Sequence, residues 1–255
     1  MIFYFSATGN SKYVAEHIAA ATEDRVVSLR DAVRGRSYRF GLGRDERIGF
    51  VMPVYFQGLP SIVNFFLDKL QITGYRDQYV YAVLTCGQWT GNAAEQLGRL
   101  LARKGLTLSA QFAIPMVDNY VPAFTIPDRE EADQILDKAE AYLDEARRAI
   151  RARGIGDYNR CKGPAPALQT AAMYPGYAHG RSTRPFVVTD ACIGCGLCQE
   201  ICPCGAITLT GGQPAWTKPK CVQCLACLHR CPAGAIHWKK AGEARGRYFN
   251  PRVEP

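Results

Sequence analysis

The chain opens on a short apolar run, Ile2 to Ser6 (I-F-Y-F-S), which reads as a buried strand. Val14, Ile18 and Ala21 then recur at helical spacing, so an amphipathic helix follows at once. Ile48 to Val54 is a further buried strand, and Pro60 suits the first turn of a helix with apolar face Ile62, Phe65, Phe66 and Leu70. Tyr79 to Cys86 reads as the fourth strand, with a helix behind it to Lys104, and Leu108 to Val117 as the fifth. A helix from about Asp128 to Arg153 carries Ile135, Ala139, Tyr142, Leu143, Ala146 and Ile150 on one stripe. Strand–helix alternation over residues 1–150 predicts an α/β fold with a parallel doubly wound sheet. Its ligand should sit beyond the C-terminal ends of the strands.

The pattern stops near residue 153. Residues 154–184 are rich in glycine and proline and read as a linker, with 165–174 as a short helix. Tyr174 and Tyr177 are candidates to cover the interface between its neighbours. A length of 255 residues suits one large or two modest domains. No run reaches the roughly 18 apolar residues of a membrane span, and Met1 to Phe5 lack the basic start of a secretion signal.

The net charge of +8 raises nucleic acid as a partner, but its distribution argues otherwise. Residues 1–150 hold 17 basic and 18 acidic side chains, and 151–255 hold 14 and 5. The excess lies in the linker and in residues 239–255, whereas 185–238 contains only Lys218, Lys220 and Arg230. These are basic flanks beside a cysteine-rich module, suited to an acidic protein or an anionic substrate.

Within that module the run C-x2-C-x2-C-x3-C-P occurs twice, at Cys192, Cys195, Cys198 and Cys202, and again at Cys221, Cys224, Cys227 and Cys231. Paired C-x2-C also suits tetrahedral zinc, but zinc needs neither the third cysteine nor the Cys-Pro. Residues 185–238 resemble two-cluster bacterial ferredoxins. In that pattern three close thiolates hold one face of a cubane and the cysteine before proline serves the other cluster. The resemblance implies one [4Fe–4S] cluster on Cys192, Cys195, Cys198 and Cys231, and another on Cys221, Cys224, Cys227 and Cys202. Gly194 and Gly196 would let backbone amides approach the sulfurs. Eleven cysteines with eight in cluster spacing imply a reducing cytoplasm and an anaerobic host rather than disulfides. The short path from the linker to Cys192 favours the first cluster as the one facing the N-terminal half. Cys161 and Cys204 fit no ligand spacing, and His229 reads as a solvated side chain near a cluster.

The first strand ends in Ser6-Ala7-Thr8-Gly9-Asn10-Ser11, a hydroxyl-rich turn opening a helix. Helix-start N–H groups with donors from Ser6, Thr8, Asn10 and Ser11 make an anion site, though such turns also serve as plain helix caps. There is no Walker lysine and no three-glycine dinucleotide fingerprint. The order S-x-T-G-N-S resembles the phosphate loop of flavodoxins, and over residues 1–150 the resemblance implies a five-stranded sheet of order 2-1-3-4-5 holding flavin mononucleotide (FMN). It further implies loop residues Tyr55, Phe56, Gln57 and Gly58, and Cys86, Gly87, Gln88, Trp89 and Thr90, around the flavin. Tyr55, Phe56 and Trp89 would flank the ring. Gly58 would either reorient a peptide toward it or serve as a turn glycine. Gln88 and Thr90 would bond its edge, and Cys86 reads as a small buried hydrophobe before a redox thiol.

The whole chain thus resembles flavodoxin-like/ferredoxin fusion proteins. The expected units are an FMN domain at 1–153, the linker 154–184, a small α+β two-cluster domain at 185–240 and a basic tail 241–255. The expected function is electron transfer between a low-potential donor, the clusters and FMN, as an oxidoreductase with a protein or small-molecule acceptor. Two alternatives stay open: a pure carrier without a substrate, and a ferredoxin bearing a cofactor-free docking domain.

Overall fold

The computed structural model describes residues 1–239 and 245–254, so residues 241–244 and 255 of the expected tail lie outside the described residues. The N-terminal half alternates as expected: β1 (Ile2–Tyr4), α1 (Asn10–Thr22), β2 (Val26–Ser28), α2 (Leu29–Arg34), β3 (Arg39–Gly41), β4 (Ile48–Pro53) and α3 (Ser61–Lys69). There follow β5 (Gln71–Thr73), β6 (Val80–Cys86), α4 (Ala93–Ala102), β7 (Ala110–Pro115) and α5 (Arg129–Arg151). The main sheet runs β2-β1-β4-β6-β7, the expected order, with every pairing parallel. A sixth strand, β8 (Gly156–Tyr158), extends it beside β7. β3 and β5 form a separate parallel pair.

Both faces of the sheet are covered, which is why its central strands read as continuous apolar runs. All seven residues of β6 are buried. Phe3, Phe50, Ala82 and Leu84 pack with Phe66 and Leu97 on one face. Ile2, Val51, Tyr81, Val83 and Phe112 pack with α1 and α5 on the other. The buried stripe of α5 is Ala132, Leu136, Ala139, Leu143, Ala146 and Ile150, with Ile135 and Tyr142 at its margin. Asp128 caps this helix, accepting from the Glu131 N–H at 2.9 Å. In α3 the inner face is Ile62, Val63, Phe66 and Leu67, while Phe65 is exposed beneath the Lys69 ammonium.

The stretch read as a linker is more structured than its composition suggests. Besides β8 it forms α6 (Pro166–His179). Tyr174 fills the space beside Gly58 and donates to the Leu59 carbonyl, and Tyr177 donates to the Val222 carbonyl. The helix therefore joins the two halves, as the two tyrosines suggest.

The C-terminal half contains β9 (Phe186–Val188), α7 (Leu197–Glu200), β10 (Ile207–Thr210), β11 (Gln213–Trp216), α8 (Ala226–His229) and β12 (Ile236–Trp238). β9 pairs antiparallel with β12, and β10 with β11. Its core is small and built partly from cysteines, with Phe186 stacked on Trp216 at 4.9 Å. Arg34 of α2 caps the end of α7, donating to the carbonyls of Gln199 (3.0 Å), Glu200 (2.7 Å) and Cys202 (3.3 Å).

The tail returns to the N-terminal half. Asn250 is wholly buried; its N–H donates to the Thr8 carbonyl at 2.8 Å, and Arg252 pairs with Asp137 and Glu140 of α5. His229 is buried at this junction rather than solvated. Its Nε2 donates to the Asn119 carbonyl at 2.8 Å, and its Nδ1 accepts from the Tyr248 N–H at 3.1 Å. One imidazole thus holds α8, the loop after β7 and the tail together. His229→Ala is expected to leave both partners unpaired and to cost about 1–3 kcal/mol, checked by anaerobic denaturation of the cluster-loaded protein. Among the described residues, no helix is long and apolar enough to cross a membrane.

Candidate functional site

A cavity of about 390 Å3 opens at the C-terminal ends of β1, β4, β6 and β7. Four loops and part of the cysteine-rich half line it. Of the sequence candidates, Ser6, Thr8, Asn10, Ser11, Tyr55, Phe56, Gln57, Cys86, Gly87, Gln88 and Trp89 lie in its wall. Gly9, Gly58 and Thr90 do not.

The reason differs for each. Gly9 holds φ +95°, donates its N–H to Ser6 Oγ and turns its open side to the tail, where an added Cβ would lie 2.8 Å from Asn250 Cβ. Gly58 exchanges two backbone hydrogen bonds with Tyr55 and is covered by the Tyr174 ring, so it closes a turn against α6. Thr90 is fully buried; its N–H donates to the Cys161 carbonyl at 2.7 Å and its Oγ1 accepts from Asn159. Asn10 needs correction of role. Its Nδ2 donates to the Val117 carbonyl, and its Oδ1 accepts from Tyr248 and Asn250. That side chain anchors the tail, with one Nδ2 hydrogen left over at the cavity wall.

What remains suits an anion held without a counter-charge. Thr8 Oγ1 accepts from Asn119 at 2.7 Å, Ser6 Oγ accepts from Gly9 at 3.1 Å, and Ser11 and Thr85 share one bond at 2.8 Å. Thr8 and Ser6 keep a hydroxyl hydrogen for a ligand, and one of the Ser11–Thr85 pair does too. The first-turn N–H groups of α1 have no acceptor within the helix. Among the described residues no lysine or arginine lines the cavity. Deeper in, the buried Gln57 Oε1 has no partner and can accept from a ring N–H. Phe56 and Gln57 hold φ of 50° and 59°, a conformation costing about 1 kcal/mol or more for residues with side chains. Gly87 lets the loop after β7 approach, since a Cβ there would meet Asp118 Oδ2 at 2.5 Å. The wall also holds Asn119, Tyr120, Phe124 and Met173, which the sequence reading assigned no part. The signal for the first three was their place after the fifth strand; Met173 had none.

The ligand-pattern cysteines ring two small hollows. One is lined by Cys192, Cys195, Cys198 and Cys231, the other by Cys202, Cys221, Cys224 and Cys227. This is the grouping with the fourth thiol exchanged. Backbone N–H groups reach the sulfurs: Ala206 to Cys202 and Gln223 to Cys221 at 3.2 Å, Ala235 to Cys231 at 3.3 Å. Gly194 and Gly196 have φ of 67° and 78°, and their counterparts Gln223 and Leu225 adopt 57° and 59° despite carrying side chains. Among the described residues no three His, Cys, Asp or Glu side chains converge on a single ion.

Cys204 also lines the second hollow, 3.9 Å from Cys202. The hydrogen bond between them pulls the Cys202 thiol down to about 6, and Ala206 N–H adds to this, while Cys204 is pushed up. Cys202 is therefore the readier thiolate. Burial raises the Cys221 thiol to about 11 and pushes the Cys227 thiol up as well, so thiolates there need cationic metal beside them.

Among the contacts between the two halves, one joins the hollows to the cavity. Gln223, Cys224 and Leu225 line both the second hollow and the large cavity. The sequence leaves open which set lies nearer, the short path from the linker to Cys192 being offset by the pseudo-symmetry of the two halves; α6 enters beside Val222, and residues of the second cysteine set border the cavity. The first set faces outward, with Cys195 exposed and Ile193 68% exposed.

A family model described as a flavodoxin domain matches residues 1–109, and one described as a 4Fe-4S dicluster domain matches 191–236. No curated protein matches the chain. Among solved structures it is similar to an NAD(P)H:quinone oxidoreductase from Methanothermobacter marburgensis, at 16% identity over 59% of this chain and 94% of that one, TM-score 0.38. It is also similar to a Streptococcus pneumonia TIGR4 flavodoxin, at 14% identity over 57% and 97%, TM-score 0.33. A rubredoxin oxygen:oxidoreductase from the anaerobe Desulfovibrio gigas aligns at 16% identity over 60% and 36%, TM-score 0.34. The chain is a flavodoxin-like/ferredoxin fusion, an N-terminal flavodoxin domain followed by a 4Fe-4S dicluster domain, with a role in electron transfer.

Proposed function

We propose that the protein relays single electrons from a low-potential donor through two [4Fe–4S] clusters to FMN in the large cavity. The observation that carries this reading is the wall shared by the cavity and the hollow of Cys202, Cys221, Cys224 and Cys227. Clusters move electrons one at a time and a flavin holds one or two, so the combination gathers single electrons into pairs.

The chain's residues divide the work. Cys192, Cys195, Cys198 and Cys231 hold the outer cluster, and exposed Cys195 and Ile193 give a donor protein its nearest approach. Cys202, Cys221, Cys224 and Cys227 hold the inner one. Ser6, Thr8, Ser11 and the α1 start bind the phosphate. Phe56 and Trp89 bound the ring site, and Gln57 Oε1 fixes its orientation by accepting from it. The inner cluster is screened from water by its place between Tyr55, α6 and the cavity. Basic flanks favour an acidic donor, and thiolate clusters favour the cytoplasm. Held there, the flavin would supply the electrons for reduction of a protein or small-molecule acceptor.

Anaerobically purified protein is expected to show flavin bands over broad cluster absorbance, with eight iron and eight acid-labile sulfide per chain. Zinc alone, half the iron, or clusters without flavin that added FMN fails to restore would each sink the reading. Cys204→Ala is expected to keep all the iron and Cys202→Ala to lose the inner cluster; the reverse would make Cys204 the ligand.

A further inference from the structure

Arg181 follows the end of α6 and grips one ligand of the inner set from two sides. Its carbonyl accepts from the Cys221 N–H at 3.1 Å, and its Nη1 donates to the Cys221 carbonyl at 3.2 Å. The same Nη1 donates to Ser61 Oγ, at the start of α3, at 2.9 Å. The guanidinium carbon stands 5.7 Å from the centre of the Tyr177 ring. Tyr177 is buried, and its hydroxyl donates to the Val222 carbonyl, next to the same ligand, at 2.9 Å. The guanidinium is thus fixed by α3 and α6, both outside the cysteine-rich half.

Two observations separate this side chain from an ordinary surface arginine. Arg181 holds φ +60°, a strained conformation that a glycine adopts freely, so the turn alone does not call for arginine. Its acceptors among the described residues are all neutral oxygens, on Ser61, Cys221 and Ala178, and its buried Nε has no partner there. No carboxylate among them offsets the charge. Three other cations stand near the inner set, Arg34 on the Cys202 carbonyl, Lys218 on that of Cys204 and Lys220 on that of His179. All three are exposed, where water and salt screen them, whereas Arg181 is half-buried.

We propose that Arg181 sets the potential of the inner cluster: its fixed charge, held against Cys221, raises that potential. This rests on the two-cluster reading above. The ligand thiolates are negative, and reduction adds one more electron to the cubane. A cation held beside a ligand lowers the cost of that electron, the more so where the surroundings are poor in water. The step it favours is transfer of one electron from the outer cluster, which is oxidised, to the inner one, which is reduced; no bond or proton moves. The electron then rests at the cluster that borders the cavity.

The test is an anaerobic redox titration of the full, cluster-loaded chain, read by electron paramagnetic resonance. The inner wave is identified as the one lost in Cys224→Ala. Arg181→Gln keeps hydrogen-bond donors without the charge. In that variant the reduced-to-oxidised ratio of the inner cluster at a fixed potential is expected to fall about tenfold, a shift of about 59 mV for one electron. The outer wave and the iron content should not change. Arg181→Lys restores the charge and is expected to recover most of the shift. An unmoved inner wave in Arg181→Gln, equal movement of both waves, or equal shifts in the glutamine and lysine variants would each overturn the proposal. Should Arg181→Gln lose iron, Ser61→Ala decides, since it frees one anchor of the guanidinium without touching a ligand. A lowered inner wave there supports the proposal and an unmoved one overturns it. Wild-type protein with zinc or half the iron instead sinks the two-cluster reading, and this inference with it.

Discussion

Replacing Gly9 by valine is expected to weaken FMN binding about a hundredfold, near 2.7 kcal/mol, while leaving iron content unchanged. Two effects combine. A β-branched residue at φ +95° is strained by about 1–2 kcal/mol, and its Cβ would meet Asn250 Cβ at 2.8 Å and Val253 Cγ2 at 2.9 Å. The tail must then leave, taking from Asn10 Oδ1 both of its donors, Tyr248 and Asn250. With Asn10 released, the α1 start and the hydroxyls of Ser6 and Ser11 lose their fixed positions. Thr8→Ala removes one donor without moving the tail, and a smaller loss of about tenfold is expected. Fluorescence titration of flavin-free protein measures both. Wild-type affinity in both variants would place the phosphate elsewhere.

The second large effect concerns the path between the clusters. With a reduced donor protein, Cys195→Ala is expected to slow flavin reduction by at least about tenfold, a barrier increase near 1.4 kcal/mol. Cys224→Ala is expected to slow it as much, because that residue stands in the wall shared with the cavity. A small reductant separates the two. It reaches the inner cluster and the flavin without the outer cluster, so Cys195→Ala should recover under dithionite more fully than Cys224→Ala. Stopped-flow traces of flavin absorbance read this, once each variant is shown to keep FMN. Unchanged rates with the donor protein in both variants would mean that the clusters and the flavin work separately.

How much of this could be read from the sequence follows from where each signal arises. The strands that became β4, β6 and β7 were legible because burial on both faces leaves no polar position to break the run. β2 was not located: three residues at a half-exposed sheet edge carry no periodicity. β8 was hidden inside glycine- and proline-rich sequence, and the short helix read at 165–174 runs on to His179 as α6, because tertiary contacts of Tyr158, Tyr174 and Tyr177 outweigh local preference. The cysteine grouping was legible because thiolate spacing is local and repeated. The anchoring role of Asn10 was not legible because a hydrogen-bonding side chain looks the same whether it serves a ligand or a distant part of the chain. Its actual partners, Val117, Tyr248 and Asn250, are more than a hundred residues away.

The return of residues 245–254 to α1 and α5 changes what kind of fusion this is. A module joined by one tether swings, and its encounters depend on linker length. Here the cluster-bearing segment leaves through α6 and comes back through the tail, so it is an insertion moored at both ends. Moored in that way, electron delivery to the cavity should follow first-order kinetics that do not change on dilution.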